Sequence, residues 1–465
     1  MRQSGILLHL TSLPSPHGVG AMGREARRFI DFLAEAGQSY WQLLPICPTG
    51  YGDSPYQSFS ALAGNPYLID LDELVRDGLL TPAELRGIDW GCDPARVDYG
   101  LLYQNRFPVL KQAVRRLLKS PPADLRRFKQ TNADWLRPYA LFMALKETHG
   151  GAPWTAWERD FRFREPAAMR RAEWDLAEQT SFWSAVQYLF FRQWNALRAY
   201  AAQQGVRLIG DLPIYAALDS AEVWADPAQF QLDGDRLPRE VAGVPPDGFT
   251  DGGQLWGNPL YDWEAMEKDG FRWWIRRLSV LLSRFDRLRI DHFRGFDSYY
   301  AVPAGDTDAK RGRWRKGPGI RLFRAAEKAL GPLPVIAEDL GYLTDSVRAL
   351  LRGTGYPGMK VLQFAFDSRE NSDYLPHNYE KHCVVYPGTH DNDTIMGWMR
   401  TAPPADVAFA KAYLRLNERE GLNWGVLRSV WASVADLAIV PMQDILGLSS
   451  EARMNTPSTL GGNWV

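Results

Sequence analysis

The stretch "VRLIGDLPI" runs from Val206 to Ile214 and is apolar, apart from Arg207, until it breaks at Gly210, Asp211 and Pro213. A strand with one face in water alternates apolar and polar residues, whereas unbroken apolarity marks burial on both faces, as in a parallel sheet. Seven other short runs have the same form. They are "GILLHL" (5–10), "YWQLLPI" (40–46), "DRLRID" (286–291), "LPVIAED" (333–339), "MKVLQFAF" (359–366), "CVVYPGTHD" (383–391) and "LAIVPM" (437–442). Helical patterns separate most of them. "REARRFIDFLAEAG" (24–37) sets Phe29, Phe32 and Leu33 on one stripe and stops at Gly37, and "TSFWSAVQYLFFRQWNALRAYAAQQG" (180–205) stops at Gly205. Glycine suits the position just past a helix end. Eight βα units with right-handed crossovers predict an α/β fold, a TIM (β/α)8 barrel.

The spacing of the runs is uneven. A single barrel domain over 1–465 is expected, with a mainly helical insertion at 72–205 between the second and third strands. A second insertion, 212–285, lies between the third and fourth strands and includes the Gly/Pro-rich loop 241–263. Both are expected around the C-terminal mouth, and no internal repeat or low-complexity tract interrupts the pattern.

The formal net charge of -1 offers no general attraction to nucleic acid or to an anionic membrane. Cys47, Cys92 and Cys383 are too few and too scattered for a disulfide framework or a zinc site. The N-terminus lacks a secretory pattern, and no stretch approaches the roughly 18 apolar residues of a membrane span. A cytoplasmic location is expected, with the oligomeric state left open.

"HGVGAMG" (17–23) places Gly18, Gly20 and Gly23 on the G-x-G-x-x-G spacing of a dinucleotide-binding turn. In that fold the first glycine follows its strand directly, and a second strand ends in an acid for the ribose. Here "TSLPSPH" intervenes and the second run ends in "LLPICPTG" without an acid. The glycines are therefore expected to serve a turn, and no nicotinamide, flavin or other cofactor is expected.

Four strand candidates finish in acids: Asp211, Asp291, Glu338 and Asp391. In a (β/α)8 barrel such ends converge on the mouth. Paired carboxylates around one bond are what glycoside chemistry requires, one as nucleophile and one as acid/base. Arg289, two residues before Asp291, shares its strand face and would keep that acid ionised. Glu338 would need a raised pKa, supplied by neighbouring negative charge and desolvation. His390 and Asp391 would grip sugar hydroxyls beside the reacting carbon. The seven histidines form no H-E-x-x-H or facial-triad spacing, so no catalytic metal is expected.

With "RIDHFRG", "AEDLG" and "GTHDNDT" in this order, the chain resembles the 4-α-glucanotransferases of the amylomaltase type, glycoside hydrolase family 77. "PTGYGDSPYQSFSALAGNPYLIDL" (48–71), "DSAEVWADP" (219–227), "GVPPDGF" (243–249), "GQLWGNPLY" (253–261) and "SEARMNTP" (450–457) extend the likeness over the whole chain. The resemblance implies transfer of α-1,4-glucan segments between malto-oligosaccharides by a retaining double displacement. It implies Asp291 as nucleophile, Glu338 as acid/base and Asp391 as transition-state stabiliser, with Arg289 and His390 in support. It further implies sugar contacts from Asp211, Tyr56, Ser54, His292, Asp367 and Asn463. Gln254, Trp256 and Phe249 fall on what resembles a mobile cover over acceptor subsites. Gly248 replaces an aromatic residue common in relatives, and the chain stops at "GGNWV" where a closing helix is expected. Three other readings compete: an α-glucan hydrolase with the same acids, a non-catalytic glucan-binding barrel and a dinucleotide oxidoreductase.

Overall fold

The computed structural model describes residues 2–464 except 51, 247–250, 342, 370–371, 458 and 460. Its strands, in chain order, begin with β1 (Gln3–Leu7), β2 (Tyr40–Gln42), β3 (Arg207–Leu212), β4 (Glu240–Val244), β5 (Gln254–Pro259) and β6 (Arg287–Ile290). They continue with β7 (Ser298–Pro303), β8 (Arg313–Lys316), β9 (Val335–Ala337), β10 (Gly358–Val361), β11 (Cys383–Tyr386) and β12 (Leu437–Pro441). Eight of them close into a barrel in the order β1-β12-β11-β10-β9-β6-β3-β2, every neighbouring pair parallel. Each of the eight apolar runs contributes one barrel strand. The TIM (β/α)8 architecture follows.

The inward positions hold Leu7, Tyr40, Ile209, Ile336, Met359, Val384, Tyr386, Leu437 and Ile439, packed as one apolar cluster. Period-two alternation carries this inward face up to Asp211, Arg289 and Glu338 at the mouth. Met454 and Trp464, near the C-terminus, join the same cluster and cap it from above.

Between β2 and β3 lie three long helices, Tyr99–Lys119, Ala133–Thr148 and Ala177–Gln203. The last bears directly on the mouth. Its buried Gln187 accepts from Gly64 N at 2.7 Å and donates back to Gly64 O at 2.8 Å. Gln193, two turns of the helix nearer its end, does the same with Asp70 at 2.7 and 3.0 Å. Two side-chain amides thus satisfy backbone groups that no strand would pair. Gly64 is required because a Cβ there would overlap the Phe190 ring. The segment carrying Tyr56 is therefore bolted to a helix more than a hundred residues later.

A four-stranded antiparallel sheet, β5-β4-β7-β8, lies beside the barrel. The sequence reading of mainly helical insertions missed it. Two of its strands come from before β6 and two from after it, so no single insertion contains it. Its own core is small, Val241, Tyr300, Val302 and Ala309, and β8 is exposed at all four residues. Too few apolar positions exist to write an alternating pattern.

The glycine-rich turn at 17–23 follows a 3-10 turn, Leu10–Ser12, rather than β1 itself. Gly18 adopts φ +76°, and a Cβ on Gly20 would overlap the Leu10 carbonyl oxygen. These are packing requirements of a turn.

Candidate active site

In the parallel register Asp211 on β3 is the direct partner of Arg289 on β6. Both face inward, and Arg289 Nη1 lies 2.6 Å from Asp211 Oδ2. The ladder continues past the strand ends: Asp291 N donates to Leu212 O and Glu338 N donates to Ile290 O, each at 3.0 Å. Adjacent barrel strands therefore deliver Asp291 and Glu338 side by side. Asp339 points the other way and accepts from Met359 N at 2.6 Å, holding β9 to β10.

Arg289 Nη2 is 3.2 Å from Asp291 Oδ1 and 3.3 Å from Glu338 Oε2. Both carboxyl groups touch this one nitrogen, which holds them close to each other. This is closer than the ~6.5–9.5 Å that an inverting pair keeps to admit a water, and suits the closer spacing of a retaining pair.

His292 has a left-handed backbone, φ 48°, unusual for a non-glycine residue. That turn aims its N–H at Glu338 Oε2, 2.5 Å away. Burial works against the Glu338 charge, but Arg289, the His292 N–H and the hydrogen bond from Asp291 outweigh it and hold Glu338 below its ordinary value. Burial and the Glu338 charge push Asp291 well above the usual carboxylate range, with Arg289 opposing. In the unliganded site these two directions run opposite to the expectation of an ionised Asp291 beside a raised Glu338. The reason is that Arg289 gives its shortest contact to Asp211, and only Glu338 has an additional backbone donor.

Tyr56 joins the acids. Its hydroxyl donates to Asp211 Oδ2 at 2.7 Å, and burial followed by the Asp211 charge keeps the phenol protonated. Its ring stacks on His390, centroids 5.3 Å apart and planes 6° from parallel. Trp464 packs against both rings. His390 Nε2 is 3.4 Å from Asp391 Oδ1. Burial lowers His292 to about 4, so its imidazole is neutral. Its Nε2 is buried with no hydrogen-bond partner among the described residues. The Trp256 ring stands perpendicular to it at 4.9 Å.

The structure brings Asp211, Arg289, Asp291, Glu338, Tyr56, His390, Asp391, His292 and Trp256 together. The others stand differently. The Asp211 side chain is fully covered, so it reaches a substrate only through Tyr56 and Arg289. Ser54 Oγ accepts from Tyr56 N at 3.3 Å and shapes that loop. Gln254 Oε1 accepts from Trp256 Nε1 at 3.1 Å. Asp367 does not join the cluster: Arg369 N, Nε and Nη2 occupy its two oxygens at 2.9, 2.8 and 2.6 Å. Asn463 spends its amide locally, accepting from Thr456 N and donating to Thr459. Phe249 and Gly248 lie outside the described residues. Among the described residues no group of three or more His, Cys, Asp or Glu is placed to hold a metal ion.

Sequence reasoning missed Asn455 and Arg453. Asn455 Nδ2 donates to Asp391 Oδ1 at 2.6 Å, and an Arg453 guanidinium nitrogen donates to the Asp391 carbonyl. Both stand in "SEARMNTP", recognised as a motif without assigned roles.

Residues 8–465 match the sequence profile of glycoside hydrolase family 77, described as 4-α-glucanotransferase. A 4-α-glucanotransferase of Thermus thermophilus is 53% identical, over 100% of this chain and 94% of the relative. One from Clostridium butyricum is 46% identical, over 98% and 94%. The solved amylomaltase from Streptococcus agalactiae in complex with acarbose superposes with a TM-score of 0.97 at 44% identity, covering 100% of this chain and 94% of that one. These likenesses favour glucan transfer over the hydrolase, binding-protein and oxidoreductase readings. By sequence over its whole length and by fold, the chain belongs to the 4-α-glucanotransferases of glycoside hydrolase family 77.

Proposed function

We propose that the transfer of glucan segments runs through Asp291 and Glu338 as a retaining double displacement. The observation that carries this is the convergence of both carboxyls on one nitrogen of Arg289. When an α-1,4-glucan enters, the reacting form of the pair has Asp291 ionised and the proton on Glu338. Asp291, now ionised, attacks the anomeric carbon while Glu338 protonates the departing 4-oxygen, and a glycosyl-Asp291 ester forms. A second glucan then offers its 4-hydroxyl. Glu338 takes that proton, the acceptor oxygen displaces Asp291, and the α linkage is restored. Asp391 holds hydroxyls of the reacting sugar as its ring flattens, and Tyr56, stacked with His390, closes the same wall.

Transfer prevails over hydrolysis when water is excluded until an acceptor sugar arrives. The segment 247–256 is assigned that role, with Trp256 seated over His292. Donors and acceptors are malto-oligosaccharides and larger α-1,4-glucans. One unit spans the whole chain, with 72–205 and 212–285 as elaborations around the mouth. The enzyme works in the cytoplasm, where its three free cysteines stay reduced.

Maltotriose tests the activity: glucose plus longer oligomers should appear with little net gain in reducing ends. A fluorinated donor that slows breakdown of the ester should leave a sugar on Asp291, seen by peptide mass spectrometry. An adduct on another residue would overturn the assignment. Shortening 247–256 should raise the hydrolytic share.

A further inference from the structure

Asp391 differs from the other three acids in exposure. Its side chain is 43% exposed, against 0% for Asp211, 18% for Glu338 and 25% for Asp291. A half-exposed carboxylate at a loop end turns freely about its last bond unless something fixes it. We infer that Asn455 is a positioning residue for Asp391, its amide fixing Oδ1 so that Oδ2 is presented to the sugar. This rests on the reading of Asp391 given above.

Asp391 Oδ1 receives Asn455 Nδ2 at 2.6 Å and lies 3.4 Å from His390 Nε2. No hydrogen bond from the described residues reaches Oδ2. The backbone is held by the same segment: Asn455 N donates to His390 O at 3.1 Å, and Arg453 donates to the Asp391 carbonyl. Arg453 Nε also donates to Asn455 O at 2.8 Å, so the guanidinium ties both ends of the contact. Trp464 N donates to Met454 O at 2.8 Å, and its ring packs on His390 and Tyr56. Residues 453–456 with Asn463 and Trp464 thus form a strap whose hydrogen bonds fall on the His390–Asp391 pair. Asn463 belongs to this strap through Thr456 and Thr459.

The chemistry of the amide matters. A cationic donor at this place would neutralise Asp391, whereas a neutral amide directs the carboxylate and leaves its charge for the transition state. Among the described residues, the charged and titratable groups in hydrogen-bond contact with Asn455 are Asp391, His390 and Arg453, with Tyr56 stacked beyond on His390.

Asn455→Ala, Asn455→Asp and Asp391→Ala, assayed on maltotriose from pH 5 to 8 with melting temperatures beside them, test the inference. Asn455→Ala should lower kcat by ~10- to 100-fold, with KM moving less, because a small misplacement costs that much. Asn455→Asp is isosteric. It should be poorer still at pH 8, where two carboxylates face each other, and should recover toward low pH, where a protonated Asp can donate as the amide does. That recovery, absent from Asn455→Ala, is a signature that a merely structural role would not give. Parallel pH profiles of the two variants, or an Asn455→Ala kcat within twofold of the original, would overturn the inference. Full activity in Asp391→Ala would instead overturn the role given to Asp391 itself.

Discussion

Arg289 gives its shortest contact to Asp211, 2.6 Å from Nη1, and leaves its other edge to be shared by Asp291 and Glu338. One guanidinium thus serves three carboxylates within the barrel. With all three ionised the group carries an uncompensated excess of negative charge. A proton held between Asp291 and Glu338 would relieve it, and burial with the Glu338 charge pushes Asp291 toward its protonated form.

Replacing Arg289 by Leu should cost about 3–5 kcal/mol at pH 7, since it strands three buried acids. Without the guanidinium, Asp291 and Glu338 lose the cation that opposes burial, and both are pushed toward their protonated forms. The protonated forms then favour folding, and that contribution is fully present only at low pH. The stability gap from the original protein should therefore narrow from pH 7 to pH 5. A gap in denaturant midpoints that stays constant would contradict the shared-cation account.

Glu338→Gln and Asp291→Asn should differ by donor. On maltotriose, loss of the acid should cost ~10²- to 10⁴-fold. On an α-maltosyl fluoride, whose leaving group needs little protonation, Glu338→Gln should still form the ester. Asp291→Asn should be inactive on both. Equal losses on both donors in the two variants would refute the division of roles.

Tyr56→Phe removes the 2.7 Å bond to Asp211 but keeps the stack on His390. A hydrogen bond to a charged group is worth ~1.5–3 kcal/mol. The expected loss in kcat/KM is ~10- to 100-fold, and Tyr56→Ala should lose more by freeing His390. Equal losses would show that the ring contributes nothing.

Asp444 is 1% exposed, accepts from Ile395 N at 2.7 Å, and is pushed up to about 7 by burial, with the Asp393 charge adding to it. A carboxyl raised in the folded state stabilises it fully below the unfolded value, and that stabilisation fades as pH rises to about 7. Asp444→Asn can still accept from Ile395 but does not titrate. Its stability relative to the original should rise by up to ~4 kcal/mol between pH 4 and 8. Melting curves across that range decide it.

The barrel was legible because its strands are buried on both faces, and each run such as 206–214 or 383–391 ends where the backbone meets the mouth. The acids were legible because parallel strands put their C-terminal ends together. The antiparallel sheet was not, since β8 is exposed throughout and β5 is buried only at its last two residues. Neither was the unequal support of Asp291 and Glu338. It depends on the Arg289–Asp211 register and on the left-handed His292, and neither leaves a mark in residue spacing. The pairing of Asp367 with Arg369, two residues away, was not legible either, because it is a matter of side-chain conformation.

Tyr56 and Trp464, far apart along the chain, both pack on His390 and on each other. Any cut of the gene between them therefore separates two rings that meet on one histidine. Recombination between family members would have to exchange the first and last segments as a matched set.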